Sequence, residues 1–322
     1  MNERRSEGHG RARPGTGIRA WLAAVAAIVS LPCAAFAGMS HRVESSAGPL
    51  HVWEKCTAPC ADRPVVVLAH GSGSSGRESF DLQVKDTAGV SLMDVLADAG
   101  YDVFAPDVRG FGRSARPAEG VTTAQAAEDL HTVVEHVRRL RGVGRVAVVA
   151  WSWGTQYAGL FVAAHPDSVA RFVSYAQMHA DSPDLVRRRA GIDAFRASPY
   201  RTIAPGAWTG RFHSQTPDGC TDPAVQAAFA QAAAQAEPQT PNGPQVDMAT
   251  RMPMVDPRQL AVPVLIIHGQ FDDVADVPGL IPFFSLLPHP EKRYVVVPDG
   301  GHMLHLQQGR FVFHRALLDF LR

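Results

Sequence analysis

Four short runs of unbroken apolar residues constrain this chain more than any other feature. Pro64 leads into Val65-Val66-Val67-Leu68-Ala69, and the same character recurs in Val103-Phe104-Ala105, Val146-Ala147-Val148-Val149-Ala150 and Val264-Leu265-Ile266-Ile267. Phe172-Val173-Ser174-Tyr175 and Tyr294-Val295-Val296-Val297 are two further candidates. A strand with one face in water alternates apolar and polar residues, whereas a strand covered on both faces need not, so these runs point to a buried, mostly parallel sheet. Leu50-His51-Val52-Trp53-Glu54 does alternate and reads as an antiparallel strand ahead of the others. Helical periodicity fills the intervals. Residues 124–141 set Ala126, Leu130, Val133, Val134, Val137 and Leu140 on one face, and Thr122 with Gln125 has the spacing of a capping box. Strand and helix therefore alternate from about residue 50 to the end, which predicts a single α/β domain with helices on both faces of the sheet.

One stretch breaks this rhythm. From about 177 to 258 there is no strand-like run; there is a helix-like Ala/Gln segment at 223–236 and the Pro-rich stretch Pro238-Gln-Thr-Pro241-Asn-Gly-Pro244. A long insertion between core strands is usually functional, and the expectation is a lid over the sheet. Its aromatic residues Phe195, Tyr200, Trp208 and Phe212 either form the core of the insertion or line a pocket.

The N-terminus has a different character. Arg4, Arg5, Arg11, Arg13 and Arg19 precede the apolar run Trp21–Val29, and Ala35-Phe36-Ala37 puts small residues at both positions of a cleavage site. These are the parts of a secretory signal peptide over residues 1–37, leaving a domain over 38–322 that is exported to a periplasm or secreted. Pro32 and the shortness of the run disfavour a stable membrane span. The mature chain would keep Cys56, Cys60 and Cys220. In an oxidising compartment Cys56 and Cys60 either bridge across Thr-Ala-Pro, the preferred expectation, or stand as two free thiols at a hairpin tip, with Cys220 left over. The C-x3-C spacing does not suit a metal site. With 31 basic and 31 acidic side chains, the chain has no electrostatic footprint for nucleic acid or an anionic membrane.

Several segments at the ends of the strand runs carry chemistry. Ala150-Trp151-Ser152-Trp153-Gly154 follows one run and opens a helix-like stretch, 154–164. A tight strand-to-helix turn projects its central serine above a sheet, and it needs small residues two positions away on either side; Ala150 and Gly154 qualify. His70-Gly71-Ser72-Gly73 follows the first strong run, and its glycines let backbone approach a ligand closely. Asp107-Val-Arg-Gly-Phe-Gly-Arg-Ser114 reads as a structural turn beside these loops. Asp272 and Asp273 both follow the 264–267 run; Asp272, three residues after Gly269, is preferred as the group that orients a histidine. His302 stands behind Gly300-Gly301 after the last strand, where a ring with a near-neutral pKa suits proton transfer, whereas His305 is expected to pack or face solvent.

In His70-Gly71, the 107–114 turn, Ser152 within Trp-Ser-Trp-Gly, Asp272 and His302, the chain resembles the α/β-hydrolase superfamily. The likeness is to its lid-bearing branch of proline iminopeptidases, carboxylesterases, epoxide hydrolases and haloalkane dehalogenases. The resemblance covers about Leu50 to Arg322, apart from the insertion. It implies Ser152 as nucleophile, His302 as base, Asp272 as orienting acid, and the backbone N–H groups of Ser72 and Trp153 as oxyanion donors, with no metal or organic cofactor. Ala150 departs from the usual glycine, and a serine at the elbow disfavours the dehalogenases and epoxide hydrolases, which attack with aspartate. The resulting expectation is a serine hydrolase acting on a small-molecule ester or lactone. An aminopeptidase, with Asp181, Asp184 or Asp193 holding a substrate amine, is the alternative; others are a non-catalytic binder and cofactor-free C–C bond cleavage. Oligomeric state is not encoded in these features.

Overall fold

In the third strand along the chain, Val65, Val67 and Ala69 pack into one apolar cluster while Val66 and Leu68 pack into another. Successive side chains of a strand point to opposite faces, so an unbroken apolar run means a core on each side. The computed structural model describes residues 36–179, 182–213, 216–275 and 278–322. The leader expected over 1–37 lies, up to Ala35, outside the described residues; Phe36 and Ala37 open the first strand, opposite Thr57 and Cys56.

The strands are β1 (Phe36–Ser45), β2 (Gly48–Thr57), β3 (Val65–Ala69), β4 (Asp102–Asp107), β5 (Val146–Trp151), β6 (Val169–Tyr175), β7 (Tyr200–Arg201), β8 (Thr240–Pro241), β9 (Val264–Gly269) and β10 (Lys292–Val297). Eight form one sheet in the order β1-β2-β4-β3-β5-β6-β9-β10. The hairpin β1-β2 is antiparallel and β2 meets β4 antiparallel, but every pairing from β4 to β10 is parallel. All six expected core runs are strands of this sheet, and the alternating 50–54 segment is the antiparallel β2.

The helices are α1 (Gly76–Phe80), α2 (Leu92–Asp98), α3 (Thr123–Arg141), α4 (Gly154–Ala164), α5 (Pro183–Ala190), α6 (Ile192–Arg196), α7 (Pro205–His213), α8 (Pro223–Ala236), α9 (Gly243–Arg251), α10 (Leu280–Leu286) and α11 (Arg310–Leu321). Helices α3, α4 and α10 bury their apolar faces in one cluster, and α1, α2 and α11 in the other. The capping box at Thr122 and Gln125 is formed in both directions. Leu140, assigned by spacing to the buried face of α3, is 41% exposed, and the buried face of the helix ends at Val137. Among the described residues no helix is long and apolar enough to cross a membrane.

Between β6 and β9 lie helices α5 to α9 and the ribbon β7-β8. The ribbon is a difference from the sequence reading: Tyr200 pairs with Pro241 and Arg201 with Thr240, too few residues to leave an alternating pattern. Trp208 and Phe212 of α7 pack edge-on against Phe229 of α8. These aromatic residues therefore form the insertion's own core, continuous with one face of the sheet. A disulfide joins Cys56 to Cys60, and Cys220 is free and buried.

Candidate active site

The carboxyl ends of β3, β5, β9 and β10 converge, as open α/β sheets arrange their ligand sites. At the end of β5 the chain turns directly into α4, and Ser152 takes φ +57°. A non-glycine residue in this left-handed region is strained and is held there by its surroundings. The turn is tight because α4 starts against β3: a Cβ on Gly154 would lie 2.3 Å from the Ala69 carbonyl oxygen. This close approach explains the small residue there and pushes the Ser152 side chain out over the sheet edge.

Three side chains meet at that point. His302 Nε2 lies 2.8 Å from Ser152 Oγ, and His302 Nδ1 lies 3.0 and 3.1 Å from the two carboxylate oxygens of Asp272. Asp272 Oδ1 also accepts the N–H groups of Val274 and Ala275, each at 3.0 Å. Burial alone pushes this carboxyl up, yet the facing His302, with His268 behind, holds it well below the usual carboxylate range. It is therefore an anion fixed in place. Asp273 points elsewhere, toward Arg187 at 3.6 Å.

The loop bearing His302 is tied down by residues that the sequence did not single out. Its carbonyl accepts the Trp151 indole N–H and the Tyr175 hydroxyl, both at 3.0 Å. Burial pushes the Tyr175 phenol far above its ordinary value, so it remains a neutral donor. Gly301 N–H donates to Gln307 Oε1 at 2.6 Å. His305 is buried and packs: its Nδ1 meets the Tyr175 hydroxyl and its Nε2 the Ser79 carbonyl. His268 sits behind Asp272, its Nδ1 3.7 Å from Oδ2.

Across from Ser152 is the loop after β3, so close that a Cβ on Gly71 would lie 3.3 Å from Ser152 Cβ. His70 anchors it from below. Its Nε2 faces Val108 N–H at 3.3 Å and its Nδ1 faces the Gly71 carbonyl at 2.8 Å. The tautomer with hydrogen on Nδ1 satisfies both contacts, and burial lowers the pKa so that the ring stays neutral. Among the described residues no acceptor takes the backbone N–H of Ser72 or of Trp153. The 107–114 turn is a brace: Asp107 accepts from Gly76 N–H and Arg113 N–H, and Arg109 is clasped by the buried Asp129.

Ser152 and His302 open into a cavity of about 410 Å3. Helices of the insertion supply much of its wall, through Arg187, Arg188, Phe195 and Arg211, and Gln245 of α9 donates to Ser72 Oγ at 3.1 Å. Of the acids considered for holding an amine, Asp184 lines the cavity but is engaged by Arg187 and Arg188. Asp193 is exposed, and Asp181 lies outside the described residues.

Residues 61–308 match the family model described as serine aminopeptidase, S33. The chain belongs to this family of α/β hydrolases. Epoxide hydrolase A of Mycobacterium tuberculosis is 36% identical over 110 residues, 33% of this chain and 30% of that protein. The chain spans less than a third of the length of the curated relatives it matches. Among solved structures, an esterase from Thermogutta terrifontis superposes with a TM-score of 0.66 at 22% identity, covering 88% of this chain and 98% of that one. The esterase EaEST from Exiguobacterium antarcticum gives 0.67 at 18% identity, covering 88% and 99%. At these identities the likeness is one of fold, and chemistry must be argued from the site.

Proposed function

We propose that the protein hydrolyses carboxylic esters, lactones included, through an acyl-enzyme on Ser152. The observation that carries this reading is the unbroken contact chain from Ser152 Oγ through both nitrogens of His302 to the Asp272 carboxylate. In the first step Oγ attacks the ester carbonyl and His302 Nε2 takes the hydroxyl proton. Asp272 holds the ring with hydrogen on Nδ1 and stabilises the imidazolium. The tetrahedral oxyanion is received by the amides of Ser72 and Trp153, whose freedom from intramolecular acceptors supports this role. His302 returns its proton to the departing alkoxide, and the alcohol leaves. Water then attacks the acyl-serine, giving its proton to His302; the acid departs and the proton goes back to Ser152. The net reaction is ester plus water to acid plus alcohol.

The family's name also raises aminopeptidase activity. A substrate ammonium would have to enter a cavity whose lining carries four arginines and one acid that is already paired, so the ester reading is better supported. The insertion acts as a lid over Ser152, a role supported by the cavity wall it provides and by the Gln245 contact to Ser72. The protein is exported, supported by the leader-like N-terminus and the Cys56–Cys60 bridge; mass spectrometry of the mature protein should find Gly38 at its N-terminus.

The decisive experiment is hydrolysis of 4-nitrophenyl butyrate by the protein and by Ser152→Ala. Turnover should fall to background in the variant, and a variant that retains turnover would overturn the assignment.

A further inference from the structure

One cation in the cavity is unanswered. Arg211 of α7 lies so close over the loop after β3 that a Cβ on Gly73 would be 2.1 Å from its Nη1. Its guanidinium is therefore beside Ser72, whose amide faces the reacting carbonyl in the ester reading. The Arg211 guanidinium carbon lies over the Trp208 ring, 4.7 Å from its centroid. Among the described residues it makes no hydrogen bond or ion pair.

Its surroundings do not compensate. Arg188 and Arg187 share Asp184, and Arg187 reaches Asp273 as well. Arg201 Nη1 donates to neutral oxygens, the Pro241 carbonyl and Asn242 Oδ1, each at 2.9 Å. Burial, reinforced by neighbouring arginines, pushes Arg201 and Arg211 down to about 10 each. Four arginines and one acid thus line a space of about 410 Å3 around Ser152. Arg211 is partly buried, a charge without a partner is costly to hold away from bulk water, and a guanidinium offers paired donors that match a carboxylate.

We infer that the substrate carries its own carboxylate, held by Arg211 while Ser152 attacks the ester carbonyl; the enzyme is a hydrolase of half-esters of small dicarboxylic acids. This inference rests on the ester reading above but can fail separately from it. It also gives the arginine wall of the insertion a task, selection by charge rather than by apolar fit.

The test compares mono-4-nitrophenyl adipate with 4-nitrophenyl hexanoate, which matches it in length but lacks the charge. The purified protein should show a kcat/KM at least about ten-fold higher for the adipate, as a charge-assisted hydrogen bond implies. Arg211→Met should bring the ratio of the two values close to one, and Arg211→Lys, which keeps charge but loses the fork, should fall between. Binding of free glutarate to Ser152→Ala, followed by calorimetry, reads the anion site without any turnover. Comparable turnover of the two esters, or a preference for hexanoate, overturns the inference and leaves the esterase intact. No turnover of either, with glutarate bound in a manner lost in Ser152→Ala/Arg211→Met, keeps the anion site and removes the esterase. No turnover and no glutarate binding removes both. The wild-type ratio needs no variant, so a misfolded Arg211→Met would not shield the claim.

Discussion

The Trp151 indole donates to the His302 carbonyl at 3.0 Å, so the residue immediately before the candidate nucleophile holds the loop that carries its base. Tyr175 donates to the same oxygen from the neighbouring strand. Each hydrogen bond is expected to contribute about 1 kcal/mol. Tyr175→Phe should lower stability by more than that amount, because the hydroxyl also meets His305 Nδ1 and N–H, with a small effect on kcat because the indole remains. Combining it with Trp151→Phe leaves the His302 carbonyl without either donor, and kcat should fall by more than the product of the single effects. Denaturant unfolding and steady-state kinetics on the four proteins check this.

The two aspartates after β9 should separate cleanly. Asp272→Asn keeps the shape but removes the anion that fixes the His302 tautomer, and kcat should drop by about ten-thousand-fold. Asp273→Asn removes a contact of 3.6 Å to a half-exposed arginine, worth under about 1 kcal/mol, so the change should stay within a few-fold. Equal losses in the two variants would contradict the geometry of the site.

Gly154→Ala should be far more damaging than its size suggests. The new methyl would sit 2.3 Å from the Ala69 carbonyl oxygen, a backbone atom that cannot rotate away. Either β3 and α4 separate or the elbow opens. A loss of about 3 kcal/mol is expected in denaturant melts, with activity falling even at temperatures where the variant remains folded.

Acid should weaken the fold through buried histidines. Burial pushes His305 down to about 3, and burial with the charge of Arg310 pushes His314 to about 4. In the unfolded chain both titrate near about 6.5. Below that pH the unfolded state binds protons that the folded state refuses, so stability is lost as pH falls from about 6.5 toward the folded values. Each ring steepens the decline by up to about 1.4 kcal/mol per pH unit. His314→Gln should flatten the slope between about pH 6 and about pH 5 relative to wild type, whatever its effect near neutrality.

The sequence conveyed the sheet because its signal there is local. Val65–Ala69 or Val264–Ile267 is apolar on both faces, and no distant partner is needed to recognise it. Ser152, Asp272 and His302 could be picked out for the same reason, each standing just beyond such a run with glycine nearby. The residues that escaped notice act through tertiary placement. Trp151 reads as strand core until its indole is seen to reach His302. Arg211 reads as one charge on a short helix until α7 folds onto Gly73. His268 ends an apolar run, and nothing in its spacing says that it backs Asp272. The β7-β8 ribbon is too brief to announce itself, being held by Tyr200 and Asn242 contacts to distant backbone.

The four loops of the site hang on four different strands, and β10, which leads to His302, is the sheet's last edge, paired with β9 alone. A fragment that ends at or before β10 therefore lacks His302. In the proposed mechanism such a fragment has Ser152 but no base to accept its proton. On the proposed reading, hydrolysis reports on the completeness of the whole sheet, and fraying at the β10 edge is expected to silence it before the bulk of the fold is lost.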